Sequence, residues 1–156
     1  MAAQCTFCRI RDGEVSAHVV LDEPAVLAFL DVRPVFPGHV LVVPRAHHET
    51  LLDVPAALVG PLFATVQRMA AAVTAALGAE GTFVAVNNTV SQSVPHLHVH
   101  VVPRRRGDGL RGFFWPRQRY AGEADMAEVA ARITSALASA PSEPPREGTG
   151  AVPPGG

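Results

Sequence analysis

The segment His96-Leu97-His98-Val99-His100 places a histidine at every second position. Side chains of an extended strand alternate between its two faces, so these three imidazoles are predicted to share one face. A neutral imidazole nitrogen is a nucleophile toward phosphorus, and a protonated neighbour can donate a proton to the leaving group. Three imidazoles at this spacing also suit a transition-metal ion. The spacing alone leaves metal binding and nucleophilic catalysis equally open.

The only two cysteines, Cys5 and Cys8, form a second group of residues whose side chains could bind a metal or react. Their Cys-x₂-Cys spacing is that of half a tetrahedral zinc site. A reduced pair without metal and a redox dithiol are the alternatives. Two cysteines are too few for a secreted disulfide framework, and the N-terminal sequence shows no signal-peptide pattern. We therefore expect a cytoplasmic protein.

Composition restricts the class of protein. A chain of 156 residues that is 48% hydrophobic and 17% charged predicts a folded domain with a real core. A formal net charge of -1 disfavours a nucleic-acid partner. No apolar run reaches the roughly 18 residues needed to span a bilayer, so no membrane association is expected.

Short apolar segments and one long helical pattern make up the rest of the chain. Five runs are typical of strands, and they cover residues 17–21, 25–30, 39–43, 82–87 and 96–102. Helical spacing predicts a long helix over residues 55–77, with a break or a new first turn at Pro61 and a stop at Gly78. It also predicts a shorter C-terminal helix over residues 124–137. The pattern predicts an α+β domain with a mostly antiparallel five-stranded sheet. We expect a domain over residues 1–140, with a core at 5–104 and an extension at 105–140, followed by a disordered tail at 141–156.

The histidine segment and three other blocks resemble the histidine-triad (HIT) family. Residues 96–102 follow the pattern His-φ-His-φ-His-φ-φ, where φ is apolar, and Gln92-Ser93-Val94 precedes them. Residues 28–31, Ala-Phe-Leu-Asp, and residues 37–44, Pro-Gly-His-Val-Leu-Val-Val-Pro, match two upstream blocks of the family. The resemblance covers residues 5–104. It implies a HIT-like fold that dimerises through the long helix and edge strands.

The resemblance also implies an enzyme that attacks the α-phosphate of a purine nucleotide. His98 matches the nucleophile, which would form a nucleotidyl-histidine intermediate that water or another acceptor resolves. His100 and His39 match histidines that contact the phosphate and assist the leaving group.

Further positions match residues that bind the nucleotide. Asp31 matches the acidic residue on the ribose hydroxyls, and Gln92 and Ser93 match phosphate contacts. Asn87 and Asn88 are two candidates for one asparagine of the family. The loop before Gln92 is shorter than is usual in the family and lacks its glycine.

A bacterial subset of the family supplies two further ligands for a zinc ion. The match adds His47 and His96 to Cys5 and Cys8, and four ligands would make a closed, structural site. His96 would then orient His98 instead of acting as an acid, and proton delivery would fall to His100, with His39 in support.

The favoured function is hydrolysis of adenosine phosphoramidates or dinucleoside polyphosphates. A nucleotide-binding scaffold with vestigial hydrolysis and a zinc-storage or zinc-sensing protein are the alternatives.

Phe113-Phe114-Trp115-Pro116 is predicted to be a dimer contact. For an arginine-rich stretch we favour a solvated surface over recognition of a phosphate-rich substrate; it comprises Arg104, Arg105, Arg106, Arg111, Arg117 and Arg119.

Overall fold

The computed structural model describes residues 5–110 and 118–139. The chain divides into two compact units after Leu110. The first unit contains the sheet, and in the second the described element is the helix α3, Glu123–Ser139, which confirms the predicted C-terminal helix. The predictions made for residues 111–117 and for the tail at 141–156 lie outside the described residues. The predicted extent of the domain, 1–140, stays a prediction.

The five predicted strands form one sheet. They are β1 (Val19–Asp22), β2 (Val26–Leu30), β3 (Val40–Pro44), β4 (Gly81–Val86) and β5 (Val99–Arg104). Their order is β1-β2-β3-β5-β4, and every neighbouring pair is antiparallel. The predicted α+β class with an antiparallel five-stranded sheet is confirmed. Strand β5 lies between β3 and β4, so the histidine-rich segment enters the middle of the sheet.

Strand β5 begins three residues later than the sequence predicted. Its pairing with both neighbours starts at Val99. Before that point the backbone N–H of Leu97 donates to the carbonyl oxygen of His48 at 2.6 Å instead of to a strand. The alternation of faces nevertheless extends upstream of the strand, because Leu97, Val99 and Val101 are all fully buried in one apolar cluster.

The long helix α2, Ala56–Leu77, ends as predicted at Gly78, which adopts the left-handed conformation with φ of 60°. The predicted break at Pro61 is wrong, because the helix runs through this residue. Pro61 is in the second turn, where its missing N–H removes a single helical hydrogen bond. A six-residue helix, α1 (Thr6–Arg11), and a short 3-10 helix at Leu51–Asp53 were not predicted.

Helix α2 packs on one face of the sheet. The cluster between them consists of Val26, Ala28, Val40, Val42, Leu62, Val66, Met69, Val73, Leu97, Val99 and Val101. By length and composition alone α2 is apolar enough to cross a membrane, with a mean hydropathy of 1.4. That is weak evidence, because the core helix of a globular domain passes the same test. The expected absence of membrane association stays a prediction.

Helix α1 packs on the opposite face. There Phe7 and Cys8 of the helix and the preceding Cys5 join a second cluster with alternate residues of β2 and β3, namely Leu27, Phe29, Leu41 and Val43. The sheet therefore has one face covered by α2, while the other carries α1 and the histidines of the triad.

We predict that Leu62→Ala lowers the free energy of unfolding by about 2–5 kcal/mol, because Leu62 is fully buried between α2 and the sheet. Leu52→Ala is the matched control, since Leu52 is 86% exposed and its truncation should change the free energy by no more than about 0.5 kcal/mol. Denaturant unfolding of both variants measures the difference. Equal effects would show that contact between α2 and the sheet is not a main source of stability.

Candidate functional site

A pocket of about 550 Å³ opens on the α1 face of the sheet. This volume lies within the range of roughly 300–1,000 Å³ found for small-molecule sites. Its polar wall includes four of the residues predicted from the sequence, which are Asp31, Ser93, His98 and His100. Its apolar wall includes Phe7, Ile10, Phe29, Leu41 and Val94.

The imidazole of His98 is 3% exposed, and its protonation is set by the backbone. Its Nδ1 lies 2.7 Å from the carbonyl oxygen of His96. A carbonyl oxygen only accepts hydrogen bonds, so Nδ1 must carry the proton and donate it. Nε2 of the neutral ring therefore holds the lone pair. This is the nitrogen that can attack an electrophile.

A second imidazole pair, His39 and His100, lies beside His98. Nε2 of His39 is 3.0 Å from Nδ1 of His100. The backbone N–H of Val35 donates to Nδ1 of His39 at 3.2 Å, so that nitrogen is unprotonated and Nε2 of His39 is the donor to His100. His100 must then carry its own proton on Nε2. The neutral pair thus presents an N–H group at its far end.

Asp31 lies next to His39 of this pair and favours its protonated form. Its Oδ2 is 3.5 Å from Nδ1 of His39, close enough to stabilise a proton on that ring. Burial, with smaller contributions from His98 and His39, lowers the pKa of His100 to about 4, and Asp31 opposes the shift. Burial also lowers the pKa of His39, and Asp31 opposes that shift. The pair is therefore neutral at pH 7 when no anion is bound.

Four potential metal ligands meet behind the pocket, and they are the four predicted from the sequence. Nδ1 of His96 is 3.4 Å from Sγ of Cys5 and 3.6 Å from Sγ of Cys8. Nδ1 of His47 is 3.4 Å from Sγ of Cys8. All four ligand atoms lie within 4.8 Å of one another. Two thiols and two imidazoles are a donor set that zinc prefers.

The protonation of His96 suits a metal ligand. Its Nε2 lies 2.8 Å from the carbonyl oxygen of Pro44, so Nε2 carries the proton and Nδ1 presents its lone pair to the sulfur atoms. Burial lowers the pKa of His96 to about 4, which keeps the ring neutral, and burial raises the pKa of the Cys8 thiol. Nε2 of His47 is buried and has no partner among residues 5–110 and 118–139.

Phe7 lies between the pocket and the group of four potential metal ligands, which we call the cysteine cluster. It lies on α1 between the two cysteines, and its ring centroid is 5.3 Å from that of His98 and 5.8 Å from that of His96, both edge to face. Three apolar residues of the pocket, Phe7, Phe29 and Leu41, were not predicted from the sequence. Their apolar character marked them only as core residues, and the one available signal was the position of Phe7 between two candidate ligands.

The side chains of Asn88 and Gln92 contact a neighbouring loop instead of the pocket. Oδ1 of Asn88 accepts from the N–H of Leu51 at 2.9 Å. Nε2 of Gln92 donates to the carbonyl oxygen of Glu49 at 2.6 Å. The pocket wall formed by the described residues includes Ser93 but neither of these two. In this structure they tie the loop before the triad to the loop before α2.

The loop at residues 87–92 is tightly turned. Nδ2 of Asn87 donates to the carbonyl oxygen of Ser91 at 3.3 Å. Thr89 and Ser91 have φ angles of 68° and 61°, in the left-handed region that favours glycine. The absence of a glycine, noted in the sequence, is thus accommodated by two residues in a conformation that costs free energy.

Three arginines of the arginine-rich stretch, Arg104, Arg105 and Arg106, are not among the residues that line the pocket. Arg104 forms an ion pair with Asp108, and Arg105 donates to the carbonyl oxygen of Leu77. Arg106 has a side chain that is 94% exposed, 3.8 Å from Glu80. These contacts agree with a solvated surface.

Comparison with known proteins adds independent evidence. Residues 12–107 match the model of the HIT domain. A HIT-like protein of Mycobacterium tuberculosis is 40% identical over 108 residues, which are 68% of this chain and 75% of that protein. An adenosine 5'-monophosphoramidase of Schizosaccharomyces pombe is 31% identical over 114 residues, 72% of this chain and 83% of that protein. An adenylylsulfatase of Arabidopsis thaliana is 32% identical over 108 residues, 68% of this chain and 55% of that protein.

Two solved structures share the fold. A HIT family member from Bacillus subtilis superposes with a TM-score of 0.79 at 31% identity, covering 88% of this chain and 99% of that one. A zinc-bound histidine triad family protein from Mycobacterium smegmatis has a TM-score of 0.67 at 35% identity, covering 86% of this chain and 99% of that one. The domain match spans more than half of the chain, the fold is shared, and His96, His98 and His100 occupy the expected segment, so this chain belongs to the histidine-triad (HIT) family.

Proposed function

We propose that this protein is a nucleotide hydrolase or nucleotidyl transferase that forms a covalent intermediate on His98. One observation carries the proposal. The hydrogen bond from His98 to the carbonyl oxygen of His96 leaves Nε2 of His98 unprotonated, in a wall of the pocket that also contains His100. A nucleophilic nitrogen and a proton donor thus border the same space, as displacement at phosphorus requires.

The pocket also supports a purine nucleotide as the substrate. Phe7, Phe29 and Leu41 offer an apolar wall for a planar base. Asp31 offers a carboxylate to the ribose hydroxyls. The names adenosine 5'-monophosphoramidase and adenylylsulfatase, carried by two relatives, support adenosine derivatives with a bond to the α-phosphate that is cleaved. Adenosine phosphoramidates and dinucleoside polyphosphates are the substrate classes we propose.

In the first step the lone pair on Nε2 of His98 forms a bond to the α-phosphorus, and the bond from phosphorus to the leaving group breaks. A bound phosphate anion raises the pKa of neighbouring imidazoles, so the His39–His100 pair takes up one proton. The carboxylate of Asp31, 3.5 Å from the ring of His39, stabilises the positive charge of the protonated pair. The leaving group departs with the electron pair of the broken bond and receives a proton from Nε2 of His100, which leaves the pair neutral.

In the second step a water oxygen attacks the same phosphorus atom. His100 accepts a proton from the water as the new bond forms. The bond between phosphorus and Nε2 of His98 breaks, and its electron pair returns to the imidazole. The products are a nucleoside monophosphate and the regenerated triad.

We also propose that Cys5, Cys8, His47 and His96 hold a zinc ion. The zinc-bound relative and the preorganised lone pair of His96 support this assignment. Four protein ligands leave no open position for a substrate, so zinc would act structurally by fixing α1 and the segment before β5. His96 would then position His98 without exchanging protons. A homodimer and a cytoplasmic location remain expectations from the resemblance and the composition.

Replacing the proposed nucleophile should abolish the covalent step. We expect His98→Ala to lower kcat/KM for adenosine 5'-phosphoramidate by about 10⁴-fold or more. In native protein quenched during turnover, mass spectrometry should show the mass of a nucleotidyl group on the peptide that contains His98. The matched control is His18→Ala, because His18 is an exposed histidine that is not among the residues lining the pocket.

Two results would contradict this proposal. One is full activity of His98→Ala. The other is tight nucleotide binding by the native protein without turnover of any phosphoramidate, polyphosphate or sulfate ester, which would instead indicate a binding protein.

Nucleotide binding should be accompanied by proton uptake. With the pocket empty, the pKa of His100 is about 4, and a bound phosphate anion raises it. The affinity for AMP should therefore increase as the pH falls from 8 toward 5, with uptake of up to one proton measured by calorimetry in buffers of different ionisation enthalpy. His100→Gln should show only the smaller uptake due to the phosphate of AMP. Equal uptake by both proteins would exclude the pair as the proton acceptor.

Disruption of the proposed metal cluster should release zinc and destabilise the fold. We expect one zinc per native chain by metal analysis, and its loss in His47→Gln with a decrease in Tm of about 5 °C or more. His48→Gln is the matched control, because His48 is the adjacent histidine outside the cluster. The measurements are made with a reductant present. A native chain without zinc, or equal zinc content in both variants, would exclude the site.

A further inference from the structure

Among the residues that the structure describes, none forms an ion pair or hydrogen bond with the guanidinium of Arg33. Within residues 5–110, each of the other arginines uses its guanidinium in a hydrogen bond or an ion pair; they are Arg9, Arg11, Arg45, Arg68, Arg104, Arg105 and Arg106. In the same part of the chain, the hydrogen bond of Arg33 is made by its backbone, whose N–H donates to Oδ1 of Asp31 at 2.8 Å. Its side chain is therefore a cation available to a ligand.

Arg33 is an exposed residue in the wall of the proposed nucleotide pocket. Arg33 lines the same space as Asp31, His98 and His100. His100 is neutral in the empty pocket, because burial lowers its pKa to about 4. Among the described residues of this wall, Arg33 is consequently the one whose side chain is positively charged at every physiological pH. An anionic group close to it would gain a charge-assisted hydrogen bond.

The position of Arg33 along the chain indicates which part of a nucleotide it faces. It follows Asp31 by two residues, and its backbone N–H is bonded to the carboxylate that we assign to the ribose hydroxyls. The nucleophile, His98, belongs to a different segment, immediately before β5. The backbone of Arg33 is therefore held next to the residue that we assign to the ribose.

We propose that Arg33 binds a second phosphate group, esterified to the 2' or 3' hydroxyl of the ribose. The preferred substrates would then be adenosine 5'-phosphate derivatives that carry this additional ribose phosphate. This inference rests on the proposed function, because it takes Asp31 as the ribose contact.

The opposite charges of Asp31 and Arg33 suit a ribose that carries both a free hydroxyl and a phosphate. Asp31 alone would bind a free hydroxyl but repel a phosphate dianion beside it. A planar guanidinium two residues away can bind two phosphate oxygens and offset the repulsion, while the remaining hydroxyl still bonds to Asp31. In dinucleotide-binding sites, too, a nearby arginine accommodates a phosphate on the ribose 2' oxygen.

Equilibrium binding of three stable nucleotides tests the proposal. The ligands are AMP, adenosine 2',5'-bisphosphate and adenosine 3',5'-bisphosphate, measured by calorimetry at one pH and salt concentration. We expect one bisphosphate to bind the native protein about tenfold more tightly than AMP, as for a gained charge-assisted hydrogen bond. The isomer that gains affinity identifies the hydroxyl. In Arg33→Gln the ratio of the two Kd values should fall to about one or below, because Asp31 then repels the added phosphate.

The control is Arg68→Gln, which removes the same charge from α2 on the opposite face of the sheet and should keep the native ratio. If AMP binds the native protein but neither bisphosphate binds more tightly, the inference is wrong and the proposed function stands. If Arg33→Gln weakens all three ligands by the same factor, Arg33 serves the 5'-phosphate and the inference is again wrong. If no nucleotide binds at all, the proposed function itself fails.

Discussion

The hydrogen bond between Nδ1 of His98 and the carbonyl oxygen of His96 determines which nitrogen of the central histidine is free to react. A neutral imidazole has one protonated and one unprotonated nitrogen, and without this bond either could hold the proton. The same logic applies to the other rings of the site, because Pro44 and Val35 fix the tautomers of His96 and His39 through their backbone groups. Protonation is thus set by the peptide chain before any substrate arrives.

That arrangement depends on burial. His39 and His96 are almost fully buried, and burial lowers the pKa of each ring because it disfavours the charged form of imidazole. Clustered rings would repel one another if protonated, and burial keeps these two neutral. The cysteine cluster contributes from the other side, since His96 belongs both to the metal-ligand group and to the hydrogen bond that orients His98. His96 therefore links the position of α1 to the orientation of the candidate nucleophile, His98.

The sequence was sufficient to predict the sheet and the face of the triad, because strong alternation in residues 96–102 and the helical pattern of residues 55–77 reflect burial directly. It was insufficient for α1, whose six residues are too few for a periodic signal. The break predicted at Pro61 was wrong, because tertiary packing of α2 outweighs one lost hydrogen bond. His39 and His100 are 61 residues apart, and only the resemblance linked them before the structure placed them 3.0 Å apart. The role of Arg33 could not be predicted, because it depends on which arginines find partners.

Leu97 anchors the histidine segment in the hydrophobic core. Its side chain is fully buried under α2, and its amide is bonded to the carbonyl oxygen of His48. Exchange of that amide with solvent deuterium therefore requires an opening comparable to global unfolding, not a local fluctuation. The segment that carries the histidines is therefore held as firmly as the hydrophobic interior in which Leu97 is buried.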